Sequence, residues 1–315
     1  MVIMDTNNGN HVSPLMWSPG MFGTTKMDVF REMINKKFGI KLTTYSDLYN
    51  WSVDNYSDFW EQFWSFANII HSSQYETVVD KTKTIDEIPE WFVGSKLNYT
   101  RNILERRENS DPNKVALYVV NEYNTDIQKV TFGQMKARIT SLVSALKKCG
   151  ITAGDRVVGY LPNGREAVEA FLATSAIGAI WSSTSPDFGI SGVLERLRQI
   201  KPKLLFSVDC VVYNGKRHNH LEKLTQLMNS LPSLKRVVIS PIQLSDNNNN
   251  HLNDVLKAPE CCTLDQFLAE AEPQKTIDYI DVPFSHPLCI LFSSGTTGDP
   301  KCLVHSVGVS FSPLV

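Results

Sequence analysis

Hydrophobic positions along this chain follow two rhythms. In residues 28–38 they recur at Val29, Phe30, Met33, Ile34 and Phe38, the spacing of one helix face, and Gly39 follows as a stop. Ser57 has the form of an N-cap for a second helix over 58–70. Its aromatics Phe59, Trp60, Phe63, Trp64 and Phe66 fall at helical spacing, which predicts a packing face rather than a cofactor contact. No strand pattern shows in the first ninety-odd residues. Residues 1–95 therefore read as a helical cap docked on a larger body.

From about Lys96 short apolar runs alternate with longer helical stretches. VALYVV (115–120) reads as a buried strand. Residues 132–149 read as a helix with Met135, Ile139, Leu142, Val143 and Leu146 on one face and Gly150 as its stop. A strand over 156–161 ends at Pro162-Asn163-Gly164, and a helix follows to Ile177. Strands over 179–182, 203–208 and 234–240 then alternate with helices over 191–200 and 218–229. This order predicts an α/β fold, largely parallel strands with helices on both faces of the sheet. DNNNN (246–250) reads as a polar loop, and no internal repeat is visible.

Composition narrows the function classes. The 315 residues carry 31 Lys plus Arg against 33 Asp plus Glu, and 42% are hydrophobic, which excludes a disordered chain. A net charge of −2 argues against a general nucleic-acid binder. The longest apolar stretch, 167–181, is interrupted by Glu169, Thr174 and Ser175 and falls short of a membrane span. Residues 1–19 lack the basic and apolar segments of a secretory signal. The six cysteines include no C-x-x-C pair, so the expectation is free thiols in cores and strands, no metal site, and a reducing, cytosolic setting. His218 and His220, beside Lys216-Arg217, read as a solvated helix start.

Chemistry concentrates near the end of the chain. The apolar run LCILF (288–292) reads as a strand, and it feeds Ser293-Ser294-Gly295-Thr296-Thr297-Gly298-Asp299-Pro300-Lys301. Two glycines let backbone N–H groups turn toward an anion, Ser293, Ser294, Thr296 and Thr297 add hydroxyl donors, and Lys301 adds positive charge. Such a string is suited to cradling a polyphosphate. It is not the G-x-x-x-x-G-K-[ST] pattern, and Pro300 disfavours a helix launched directly from the loop. A surface hairpin loop that is merely rich in small residues is the alternative, and the length of the string with its preceding strand favours the cradle.

S-S-G-T-T-G-D-P-K resembles the phosphate loop of the adenylate-forming superfamily, which includes acyl-CoA synthetases, luciferases and peptide-synthetase adenylation domains. W-S-V-D-N-Y (51–56), D-F-W (58–60), Y-E-T-V-V-D (75–80), Q-I-K-P-K-L-L-F-S-V-D (199–209) and V-V-Y-N-G-K (211–216) resemble the acetoacetate-activating branch of its acyl-CoA synthetases, as do Cys302 and V-H-S (304–306). The similarity runs along nearly all of the chain from about Met16.

The resemblance implies an ATP-dependent acid–thiol ligase. The carboxylate of acetoacetate attacks the α-phosphate of Mg-ATP, giving an acyl-adenylate and diphosphate; the thiol of coenzyme A then displaces AMP. It implies ATP, Mg2+ and coenzyme A as cofactors and acetoacetate, ATP and coenzyme A as small-molecule partners. By the same resemblance Ser293, Ser294, Gly295, Thr296, Thr297 and Gly298 hold the β and γ phosphates, with Thr296 and Thr297 as hydroxyl donors and Lys301 supplying charge to the pyrophosphate side. Ser183 falls where a small residue lets the coenzyme A nucleotide approach, and Tyr213 and Lys216 fall where relatives carry two arginines. Tyr213 departs from that pattern and offers a ring to stack on adenine, while loop structure and solvated charge stay open for all three. His305 reads as structural, and Asp187 and Glu195 as solvated carboxylates rather than an acid–base pair.

In domain terms, 96–315 is expected to form the first part of an AMP-binding domain. The acid-selecting pocket, Mg ligand, hinge and catalytic lysine of the family are expected beyond Val315, with the C-terminal domain. Another short acid such as acetate or propionate, or an inactive nucleotide-binding fragment, are the competing functions.

Overall fold

The computed structural model describes residues 25–106, 111–122, 124–242, 250–293 and 298–310, and the chain divides into two compact units between Asn68 and Ile69. In the first unit the described helices are Lys26–Phe38, Tyr45–Asp54 and Tyr56–Phe66. Caps decide where they start. The Thr25 hydroxyl accepts from the Asp28 N–H while the Asp28 carboxylate accepts from the Thr25 N–H, and Gly39 closes the helix at φ 65°. Thr44 and Asp47 repeat the arrangement, and the N–H groups of Thr43 and Thr44 hold the Asp47 carboxyl down to about 2.

One helix of this unit was not expected, and one expectation changes. The 45–54 helix carries no clean apolar stripe, and its one sequence signal is that T-x-x-D box. The helix expected over 58–70 begins at Tyr56, with Asn55 rather than Ser57 at the cap position, and stops at Phe66. Its aromatic stripe packs as expected. Phe30 meets the rings of Phe59 and Phe63 edge-on at 5.5 and 5.9 Å, in a core shared with Ile34 and Leu48.

Strands appear between 69 and 95, where the pattern showed none. His71–Ser73 pairs with Lys96–Leu97, and Thr77–Val79 pairs with Trp91–Val93. Runs of two or three residues are too short for a period of two to register. These residues thus join the second unit, whose boundary lies well before 95.

The body of the second unit is a seven-stranded sheet. Its strands lie in the order Cys261–Thr263, Arg236–Ser240, Leu204–Val208, Arg156–Tyr160, Ile180–Thr184, Pro287–Ser293 and Lys301–Ser306. All neighbours run parallel except the last pair, which is an antiparallel hairpin. Side chains alternate between two cores. Val157, Leu204 and Val238 join the helices Phe132–Lys148 and Arg165–Ala176 on one face. Val158, Leu205 and Val237 join Ile190–Ile200 and Leu221–Ser230 on the other. Burial on both faces explains why these strands read as continuous apolar runs. This is the α/β architecture that the alternation predicted.

VALYVV departs from its expectation. Val115–Asn121 pairs antiparallel with Asn124–Thr131 outside the seven-stranded sheet, and Tyr118 and Val120 are exposed. The helix expected from 218 begins at Leu221, because Lys216–Asn219 is a strand paired with Cys210–Tyr213. His220 is correspondingly buried rather than solvated. Cys210, Cys261 and Cys262 sit buried in strands, and all six cysteines are free thiols. Of the DNNNN run, residues 246–249 lie outside the described residues, and Asn250 opens the short helix Asn250–Val255.

Candidate functional site

Strand Pro287–Ser293 runs parallel to Ile180–Thr184, with Trp181 opposite Cys289 and Ser182 opposite Ile290. The Ser182 hydroxyl donates to the Ile290 carbonyl at 2.7 Å and locks that register. The chain then returns as Lys301–Ser306, pairing Ser293 with Lys301 and Phe292 with Cys302. Ser293 and Lys301, where the two strands meet, therefore stand at the carboxyl end of the parallel sheet, where open α/β folds bind ligands. Ser294, Gly295, Thr296 and Thr297 lie outside the described residues. Ser293 and Lys301 face one another across the first rung of the hairpin, with Lys301 exposed. Gly298 has a φ of 125°, a conformation L side chains rarely adopt. A strand, not a helix, follows Pro300, in line with the expectation that no helix launches directly from the loop. His305 sits inside that strand opposite Cys289.

Ser183 and Tyr213 come together in one cavity of about 500 Å³ at the same end of the sheet. Its wall includes Asn163, Thr184, Ser185, Pro186 and Asp187. Ser183 also lines a second, apolar cavity of about 570 Å³ between Leu117, Phe171, Trp181 and Leu291. Tyr213 and Lys216 are register partners flanking an Asn214-Gly215 turn with φ of 50° and 70°. The Glu122 carboxylate accepts from the Gly215 N–H at 3.1 Å and tethers that turn. Tyr213 and Lys216 are both exposed, but only Tyr213 lines the cavity. Asp187 and Glu195 are exposed, as expected of solvated carboxylates.

The loop 185–188 under this cavity is held from below by three donors. The Tyr160 hydroxyl donates to the Phe188 carbonyl at 2.7 Å, and Lys223 reaches the Pro186 and Phe188 carbonyls at 3.3 and 3.4 Å. His220 Nε2 meets the Pro186 carbonyl at 3.3 Å, so Nε2 carries the proton. Burial pushes the Tyr160 phenol up to about 12, with Asp187 adding to it, which keeps it a donor. Burial pushes His220 down to about 4, and its Nδ1 is buried without a partner. The sequence did not place Asn163, Tyr160 or His220 around a cavity. Asn163 was visible as the break after a strand, and Asn214-Gly215 as a hairpin signal, but nothing local marks His220 as buried.

Among the described residues no group of three or more His, Cys, Asp or Glu could hold a metal ion. No described helix is long and apolar enough to cross a membrane.

A largely parallel sheet covered by helices on both faces, with Lys301 at the carboxyl end of its strands, has the architecture of the open α/β folds that bind ligands at that edge. The comparisons make the class specific. A family model described as AMP-binding enzyme matches residues 104–312, and one described as acetyl-coenzyme A synthetase N-terminus matches 45–103. The chain belongs to the AMP-binding enzyme family. It is 50% identical over 299 residues to the acetoacetyl-CoA synthetase of Danio rerio, covering 94% of this chain and 43% of that protein. A malonamoyl-CoA synthetase of Penicillium aethiopicum is 34% identical over 96% of this chain and 43% of its own length. The solved structure of acetoacetyl-CoA synthetase from Streptomyces lividans matches with a TM-score of 0.79 and 33% identity, over 91% of this chain and 42% of that one. The chain thus spans less than half the length of the relatives it matches.

Proposed function

We propose that this chain forms the ATP-phosphate and coenzyme A side of an acid–thiol ligase that converts acetoacetate, ATP and coenzyme A to acetoacetyl-CoA, AMP and diphosphate. The observation that carries the reading is the hairpin mouth, Ser293 and Lys301, at the carboxyl end of the parallel strands. The acid follows from identity of about half the residues to acetoacetyl-CoA synthetases over nearly the whole chain.

The residues suit the groups assigned to them. The Lys301 ammonium is exposed at the hairpin mouth, and a Cβ on Gly298 would meet no described atom within 4 Å, which leaves backbone room for phosphate oxygens. Ser294, Gly295, Thr296 and Thr297 complete the loop in this reading, with Thr296 donating to the reacting phosphates. Two anions, the carboxylate and the triphosphate, have to meet, and Lys301 lowers the cost of bringing them together. Mg2+ would come bound to the phosphate oxygens of ATP, where it neutralises charge on the diphosphate leaving group.

The coenzyme A nucleotide is assigned to the cavity of Ser183 and Tyr213. The Tyr213 ring offers a stacking face and Lys216 a charge for phosphate. A cytosolic site of action fits six free thiols.

The test is a Mg-ATP titration of this chain, with ATP–pyrophosphate exchange on the same preparation using acetoacetate, acetate and propionate. The expected result is Mg-ATP binding and exchange greatest with acetoacetate. Equal or greater exchange with acetate or propionate overturns the acid. Binding without exchange on any acid overturns ligase activity for this chain, and no binding overturns the nucleotide site as well.

A further inference from the structure

Helix Ile190–Ile200 starts two residues after Phe188, the last residue of the cavity loop, and reaches the hairpin with two side chains. The Arg196 guanidinium lies 4.7 Å from the centre of the Phe188 ring and 6.0 Å from that of Phe292, with Nη1 donating to the Gly192 carbonyl at 2.7 Å. Three residues on, and so on the same helix face, Gln199 Nε2 donates to the Pro300 carbonyl at 3.0 Å. Its Oε1 accepts from the Cys302 thiol at 3.4 Å. Phe292 and Cys302 are cross-strand partners, one rung inside the Ser293–Lys301 pair at the hairpin mouth. One helix face thus grips both members of the rung next to the phosphate-facing residues. The start of the same helix follows a loop whose carbonyls are fixed by Tyr160, His220 and Lys223.

We propose that Arg196 and Gln199 are positioning residues that tie the hairpin mouth to the cavity loop, so that Ser293 and Lys301 keep their direction toward the nucleotide. The proposal rests on the nucleotide reading of that hairpin. The residue types suit the task. A guanidinium can lie over one aromatic ring while facing a second, which a neutral side chain of the same length cannot match. A primary amide can donate to a carbonyl through its nitrogen while accepting from a thiol through its oxygen. Neither residue is asked to touch the ligand, and each acts through a hairpin residue beside it.

The test uses hydrogen–deuterium exchange on the unliganded chain together with Mg-ATP titration, for the wild type and for Arg196→Met, Arg196→Lys and Gln199→Leu. Arg196→Met and Gln199→Leu are expected to raise amide exchange at 301–304 by about fivefold while leaving 236–240 unchanged. They are expected to weaken Mg-ATP binding by about three- to tenfold at an unchanged Tm, and Arg196→Lys is expected to recover most of both effects. Unchanged exchange at 301–304 overturns the proposal. So does an equal rise in both strands, with Arg196→Lys no better than Arg196→Met, because that marks general loosening. Wild-type binding of Mg-ATP with variants that bind equally well overturns the positioning role alone. A wild-type chain that does not bind Mg-ATP overturns the nucleotide reading, and the purpose given to the two residues goes with it.

Discussion

Strands Leu204–Val208 and Lys301–Ser306 belong to one sheet and live in opposite surroundings. Every residue of the first is buried, whereas Lys301, Leu303 and Val304 of the second are exposed. The inner strand is fixed by apolar burial on two faces. The outer one is fixed by its ladder to Pro287–Ser293 and by side-chain bonds from Gln199. In the proposed reading stability and ligand handling are therefore carried by different strands, and a substitution in one should leave the other's property intact. The largest effect tests the inner strand. Leu205 is fully buried in the core shared with Val158, Val237 and Leu224. Leu205→Ala should cost about 2–5 kcal/mol of stability, read from the urea midpoint at unchanged slope. A loss below about 1 kcal/mol would mean the sheet is not the stabilising body described here.

The inner strands were also the legible ones. Leu204–Val208 and Arg236–Ser240 announce themselves because double burial removes the polar residues that blur a pattern. The hairpin's incoming strand was legible as the apolar run LCILF, although only Leu288 and Ile290 of it are buried, and its loop was legible through chemistry rather than periodicity. Lys301–Ser306 was legible only as the strand-like run CLV (302–304), since a half-exposed outer strand mixes Lys, His and Ser with apolar residues. The cavity was partly legible: Ser183 and Tyr213, both singled out through the resemblance, line one enclosure. Arg196, Gln199 and His220 were not, because their partners Phe292, Pro300 and Pro186 are distant in sequence. Only the fold brings such pairs together, and no spacing rule encodes them.

His220 joins the two kinds of region, since it lies buried against the inner-strand Tyr160 and holds a loop of the cavity. Burial is the main reason its folded value is about 4 against an ordinary 6.5; Lys223 lowers it further, while the Pro186 carbonyl, Asp187 and Asp209 pull the other way. Below pH 6.5 the unfolded chain takes up a proton that the folded chain refuses. The stability is thus complete above 6.5, declines as the pH falls toward 4, and is lost by on the order of 3 kcal/mol below that. His220→Gln keeps an amide N–H for the Pro186 carbonyl and cannot ionise. The variant should be less stable than the wild type at pH 7.5, and its deficit should shrink and reverse by pH 4.5. Comparing the two chains cancels the titration of shared carboxylates. Parallel stability curves across that range would show that His220 is not the titrating group.

The smallest effect on the fold belongs to the residue with the sharpest assigned role. Lys301 is exposed at the first position of the outer strand, and no core depends on its side chain. Lys301→Ala should change stability by less than about 0.5 kcal/mol, within the range of ordinary surface substitutions. In the proposed site the same change removes a cation from the phosphates and should weaken Mg-ATP binding by about 1–3 kcal/mol, or roughly five- to 150-fold. That penalty should narrow as salt rises, because an exposed charge is screened. Lys301→Arg separates charge from geometry. It restores the charge, so it should recover part of the affinity at low salt, and the remaining deficit measures how far the hairpin fixes the position of a compact ammonium. An unchanged Mg-ATP affinity in Lys301→Ala would remove this residue from the phosphate site. A large loss of stability would instead mean that the outer strand is held by more than its ladder and Gln199, and that the division between a stabilising interior and a ligand-handling margin is drawn in the wrong place.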